Sequence, residues 1–154
     1  MPEIFRPPLS STDPELMDTL LWIRSHTEAD ATLLTPPYLD GIRLLGERAI
    51  VVDIHSHGFT ARELQAWENR LEAVTHQTGF EQWNPSTSSS EPQRDFLRKA
   101  YLKLSVEDVE KIVRDYKVEY FLTEASYPFQ QKFSEAGYSM VFKNKNYVLF
   151  SLKK

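Results

Sequence analysis

The sequence predicts an α/β fold: a small, three-layer, mostly parallel sheet flanked by helices, with a C-terminal antiparallel hairpin at its edge. Three observations lead there. Helical stretches alternate with three short apolar runs, the order of elements that builds a parallel sheet. The second run, Arg48-Ala49-Ile50-Val51-Val52-Asp53, is β-branched and apolar at successive positions, as in a strand covered on both faces. At the end of the chain, Tyr138–Phe142 and Tyr147–Leu152 are separated by Lys143-Asn144-Lys145-Asn146, four polar residues that suit a hairpin turn.

Taken in order, the first helix is predicted to open at Thr12, where Thr12-Asp13-Pro14-Glu15 has the form of a capping box, and to bury Leu16, Leu20 and Ile23 with Trp22 beside them. Ala31-Thr32-Leu33-Leu34 is the first strand, stopped by Pro36-Pro37 because neither proline has an N–H for the ladder. One or two helical turns fit Tyr38–Leu45, with Gly46 as terminator before the second strand. Thr60-Ala61-Arg62-Glu63 is another capping box, and Leu64, Trp67, Leu71 and Val74 follow at helical spacing. Helical patterning resumes at Phe96-Leu97 and Tyr101-Leu102. Ser105 then caps a helix whose face carries Val109, Ile112, Val113 and Tyr116. Val118–Leu122 is the third strand, and Ser126-Tyr127-Pro128 starts a short helix with Phe129 and Phe133 that ends near Gly137.

A chain of 154 residues suits one domain, which divides into a lead-in segment, 1–11, and a single α/β domain, 12–154, with a polar, mobile loop at about 77–95. Eighteen Lys and Arg against twenty-two Asp and Glu leave a net charge of −4, an unsuitable balance for gripping phosphate backbones, so no nucleic-acid partner is expected. The absence of cysteine excludes disulfides, thiolate metal sites and a cysteine nucleophile. No segment approaches the roughly 18–20 apolar residues of a membrane-spanning helix, and the N-terminal residues have neither the basic nor the apolar region of a signal peptide.

Ligands of open α/β sheets bind beyond the carboxyl ends of the strands, which makes Thr35, Asp40, Asp53, His55 and Glu124 the candidate binding residues. The competing reading is that they are ordinary polar loop residues. Asp53, His55 and His57 alternate at a strand exit, so a carboxylate and two imidazoles on one side form a candidate divalent-metal site. Metal-dependent hydrolases of that kind need further ligands from other strands, and His26 and His76 stand at helix ends without ligand spacing. Solvated loop histidines are the competing reading. Thr35-Pro36-Pro37-Tyr38 lacks the glycines of a phosphate cradle, no G-x-S-x-G elbow exists, and Glu107, Asp108 and Glu110 belong to a solvated helix face. No catalytic residue and no cofactor are therefore assigned. Trp83, in the polar loop, is a candidate contact for a partner or membrane surface.

Two stretches carry a family resemblance. Leu21-Trp22-Ile23-Arg24-Ser25-His26-Thr27-Glu28-Ala29-Asp30-Ala31-Thr32-Leu33-Leu34-Thr35-Pro36-Pro37, with Arg43 and Glu47–Asp53, resembles the start of the C-terminal extracytoplasmic domain of bacterial polytopic membrane proteins. Those proteins are similar to the C superfamily of glycosyltransferases and to a related uncharacterised membrane-protein family, which the Trp67-Glu68-Asn69-Arg70-Leu71 helix also fits. The segment from Val109 through Val118-Glu119-Tyr120-Phe121-Leu122 to Leu152 looks like the close of such domains. Where oligosaccharyltransferase catalytic subunits carry a Trp-Trp-Asp-Tyr-Gly acceptor-recognition motif, this chain reads Pro36-Pro37-Tyr38-Leu39-Asp40-Gly41, sharing only Asp-Gly. The resemblance implies an accessory or interaction domain, non-catalytic by itself, on the extracytoplasmic side of a membrane. The implied partner is an upstream transmembrane segment or membrane protein, with a homodimer also open. The alternative is a small metal-dependent hydrolase or a ligand-binding module using the Asp53–His57 loop, and without the resemblance the expected location is cytoplasmic.

Overall fold

A helix and a strand exit set the geometry of this domain, and both follow from short local signals. In the computed structural model, which describes residues 13–54, 60–75 and 91–153, helix α1 spans Pro14–His26. Its N-cap is Asp13, one residue later than the predicted Thr12, which lies outside the described residues. The Asp13 carboxylate accepts the Leu16 N–H at 3.0 Å, and Pro14 occupies the first turn, where its missing N–H costs nothing. At the other end Arg48 donates to the carbonyls of Arg24 at 2.7 Å and Thr27 at 2.8 Å, placing a cation on the negative end of the helix dipole.

Strand β1, Thr32–Leu34, leads into the prolines as predicted. Helix α2, Ile42–Gly46, ends with Glu47 in the left-handed region at φ 53°; Gly46, the predicted terminator, is the last helical residue and packs against Leu20 and Ile23 of α1. Strand β2 is only Ala49–Ile50. Helix α3, Ala61–Thr75, opens on the predicted box, with Glu63 N–H bonded to Thr60 Oγ1 and Thr60 N–H to the Glu63 carboxylate. Helix α4, Glu91–Tyr101, starts inside the stretch predicted as loop, and residues 76–90 lie outside the described residues. Helix α5, Val106–Tyr116, carries a complete Ser105–Asp108 capping box. Strand β3 is Tyr120–Glu124, so Glu124 closes the strand instead of lying in the loop after it. Helix α6 is Gln130–Glu135, and the hairpin strands are β4, Ser139–Lys143, and β5, Tyr147–Ser151.

The sheet is mixed, with strand order β2-β1-β3-β5-β4, which corrects the mostly parallel prediction. β1 is parallel to β2 and β3, whereas β5 is antiparallel to both β3 and β4. Half of the neighbour relations are therefore antiparallel. The parallel half is short because prolines end β1 and because β2 leaves the ladder soon after the Val51 N–H reaches the Leu33 carbonyl. The hairpin forms one edge of the sheet, as predicted, and β5 joins it to the rest, paired along its whole length from Tyr120↔Ser151 to Glu124↔Tyr147. The outer strand β4 is one edge of the sheet, blunted by an irregularity between Met140 and Phe142, and the short β2 is the other.

Helices cover both sheet faces. One core joins Leu16, Leu20 and Ile23 of α1 to Leu33, Leu122 and Leu149. The other gathers Trp67, Leu71, Leu97, Val109 and Ile112 over Phe121 and Phe150. Its centre is aromatic: Phe121 meets the rings of Tyr101, Tyr127, Phe133 and Phe150 at centroid separations of 5.2 to 6.3 Å, where edge and offset contacts are favourable. With both faces buried, β3 and β5 need the continuous apolar runs they have.

Candidate functional site

Because β1 and β3 run parallel, their carboxyl ends emerge on the same side, and the antiparallel β5 begins there. Three connections converge on this end: the Thr35–Gly41 segment, the turn after Glu124, and the hairpin turn before Tyr147. Glu124 pairs with Tyr147 in register, and the Ala125 N–H donates to the Asn146 carbonyl at 2.8 Å, so the two turns are held together by backbone.

Helix α4 lies across this end and contributes two arginines one turn apart. Arg98 binds the Glu124 carboxylate with a fork, Nε to Oε2 at 2.8 Å and Nη2 to Oε1 at 3.0 Å. Arg94 donates to the Tyr38 carbonyl at 2.6 Å and to the Asp40 carboxylate at 3.0 Å. The Tyr38 hydroxyl, buried in the core, donates to Glu124 Oε2. Asp40, Arg94, Tyr38, Glu124 and Arg98 are thus one continuous network.

Its electrostatics hold the phenols neutral. Burial, then the charge of Glu124, keeps the Tyr38 hydroxyl far above the usual tyrosine range. Burial and the hydrogen bond to Asp13 at 2.8 Å do the same for Tyr147. The bond to Glu124 raises Arg98 further into its charged form. Glu124 accepts three hydrogen bonds, so it holds and orients its partners.

Beside the network is an open depression of about 350 Å³ lined by Arg98, Glu124, Ser126, Lys145, Asn146 and Tyr147. A second, of about 340 Å³, lies between β2 and α3, where Arg70 donates to the Val51 carbonyl at 3.0 Å and stacks over Tyr116.

Of the predicted residues, Asp40 and Glu124 meet in the network. Thr35 is fully buried and does not line the depression; its hydroxyl has no hydrogen-bond partner among the described residues. Asp53 stands apart, its carbonyl accepting the Trp67 indole N–H at 2.8 Å. His55 and His57 lie outside the described residues, as does Trp83. Among the described residues, no three His, Asp or Glu side chains are grouped to hold a metal ion. Arg94 and Arg98 were missed by sequence reasoning. Their i, i+4 spacing was visible, but Arg94 fell in a stretch read as loop.

A family profile described as a domain of unknown function, DUF6798, matches residues 14–74, which include α1, β1, α2, β2 and most of α3. No curated protein matches. Among solved structures, the chain is similar to the C-terminal globular domain of an oligosaccharyltransferase from Archaeoglobus fulgidus, at 14% identity, with 88% of this chain and 95% of that one covered and a TM-score of 0.45. This is a distant resemblance. Among the described residues, no helix is long and apolar enough to cross a membrane.

Proposed function

We propose that this chain is an accessory domain of a membrane-associated, glycosyltransferase-like protein, non-catalytic by itself, whose working surface is the strand-exit end. One observation carries the reading. At the place where α/β sheets take ligands, side chains from α4, β3 and the segment after β1 are locked into a fixed network beside an open polar depression. A rim held by a bidentate ion pair is preorganised for binding, and less freedom remains to be lost when a ligand arrives. The two family-like stretches of sequence supply the context: an extracytoplasmic setting, with an upstream membrane part as the natural partner and a second copy of the chain as the other.

The test is a thermal-shift panel of neutral glycans and prenyl-linked glycans on the wild-type chain, Arg98→Ala and the α5 surface control Lys111→Ala. The reading expects at least one glycan to raise Tm in the wild type and the control but not in Arg98→Ala. No stabilisation by any member, or equal stabilisation in all three proteins, overturns it.

A further inference from the structure

The polar groups of the 350 Å³ depression are unequally used. Arg98 spends Nε and Nη2 on Glu124, leaving Nη1 without a partner among the described residues. Lys145 Nζ, the Ser126 hydroxyl and the Asn146 side-chain amide also have none among the described residues. These four groups come from three separate places, α4, the turn after β3 and the hairpin turn, and all of them can donate hydrogen bonds. The two charged donors outweigh the single carboxylate by 2 − 1 = +1, in a chain whose overall charge is −4. The turns that carry Ser126 and Asn146 are stapled by the Ala125 to Asn146 backbone bond, which sets their spacing before a ligand arrives.

We infer that this depression binds a phosphomonoester, with Arg98 Nη1 and Lys145 Nζ on the phosphate oxygens and Ser126 and Asn146 completing the donor set. Phosphate fits better than a carboxylate because it offers three terminal oxygens to four donors, and a guanidinium with an ammonium matches its double charge. Glu124 is part of the same design. By occupying two N–H groups of Arg98 it holds the guanidinium plane, and its charge selects against any anion that the two cations do not outweigh. The inference rests on the strand-exit end being the working surface, and it names a class of ligand for it.

The test is calorimetric titration of the full chain with inorganic phosphate and with glycerol 3-phosphate, alongside sedimentation with vesicles containing phosphatidate, which present the same group on a lipid. Saturable binding that weakens about tenfold in Lys145→Ala and is unchanged in Lys111→Ala supports the site. Lys145 is an exposed turn residue, so its replacement leaves the fold intact, and circular dichroism checks this. Binding of glycerol 3-phosphate without vesicle binding identifies a soluble phosphomonoester, and the reverse identifies a headgroup. Absence of binding to all three probes, or equal weakening in both lysine variants, overturns the inference. If that occurs while a neutral glycan still stabilises the wild type and not Arg98→Ala, the working surface stands and only its phosphate chemistry falls.

Discussion

Arg98 and Glu124 are joined by two parallel hydrogen bonds that tie the last turn of α4 to the last residue of β3. The two ends of this link differ in exposure: the Arg98 side chain is 45% exposed, that of Glu124 only 18%. Tyr38, the third member, is buried. Water competes for the guanidinium but not for the phenol, so the two partners of Glu124 contribute unequally. Double-mutant cycles with Arg98→Met, Tyr38→Phe and Glu124→Ala, measured by urea denaturation, should give a coupling of about 1 kcal/mol or less for Arg98–Glu124 and about 1.5–3 kcal/mol for Tyr38–Glu124. A larger coupling for the arginine would show that the ion pair, not the buried phenol, holds this corner.

The network also shows how far sequence reasoning reaches. Ser105–Asp108 and Thr60–Glu63 were legible because a capping box is local, with both partners within three residues. Asp40 and Glu124 were legible as residues near strand ends. Their arginines were not, since Arg94 is 54 residues from Asp40 in the chain and Arg98 is 26 from Glu124. Which hairpin strand joins the sheet was not legible from the turn, for a related reason. A polar four-residue turn marks a hairpin, but not which of its strands faces the rest of the sheet. The clue lay in composition: Tyr147-Val148-Leu149-Phe150 has no polar alternation, as befits a strand buried on both faces, while β4 is largely exposed.

Six of the seven tyrosines, Tyr38, Tyr101, Tyr120, Tyr127, Tyr138 and Tyr147, have hydroxyls held above the ordinary value, in each case first by burial. Tyr138, bonded to Glu110 at 2.8 Å, is pushed up to about 12. Burial holds Tyr101 well above the ordinary value too, with its hydroxyl on the Leu122 carbonyl. The folded state therefore binds these protons more tightly than the unfolded chain, whose tyrosines ionise near about pH 10. Their contribution to stability is complete below that pH and is lost as pH rises through the folded-state values. On alkaline titration, phenolate absorbance and loss of helical circular dichroism should rise together in one steep step above about pH 10. Phenolates appearing near the ordinary value with the helical signal intact would contradict this picture.

Two buried threonines allow one chemical change to be tested with opposite signs. Thr123, in β3 opposite Val148, is fully buried, and its hydroxyl has no hydrogen-bond partner among the described residues. Thr19 is equally buried, but its hydroxyl donates to the Glu15 carbonyl at 2.7 Å and accepts from the Asn144 side chain at 3.0 Å, tying α1 to the hairpin turn. Replacing a hydroxyl by a methyl relieves an unmet desolvation cost at the first site and creates one at the second, with side-chain shape nearly kept. Thr123→Val should stabilise the domain by about 1 kcal/mol, and Thr19→Val should destabilise it by about 1–2 kcal/mol, both read from urea midpoints at unchanged slope. Shifts of the same sign in both variants would mean that packing, not the state of the hydroxyl, decides these positions. A Thr123→Val that destabilises alone would mean that its hydroxyl has a partner in solution.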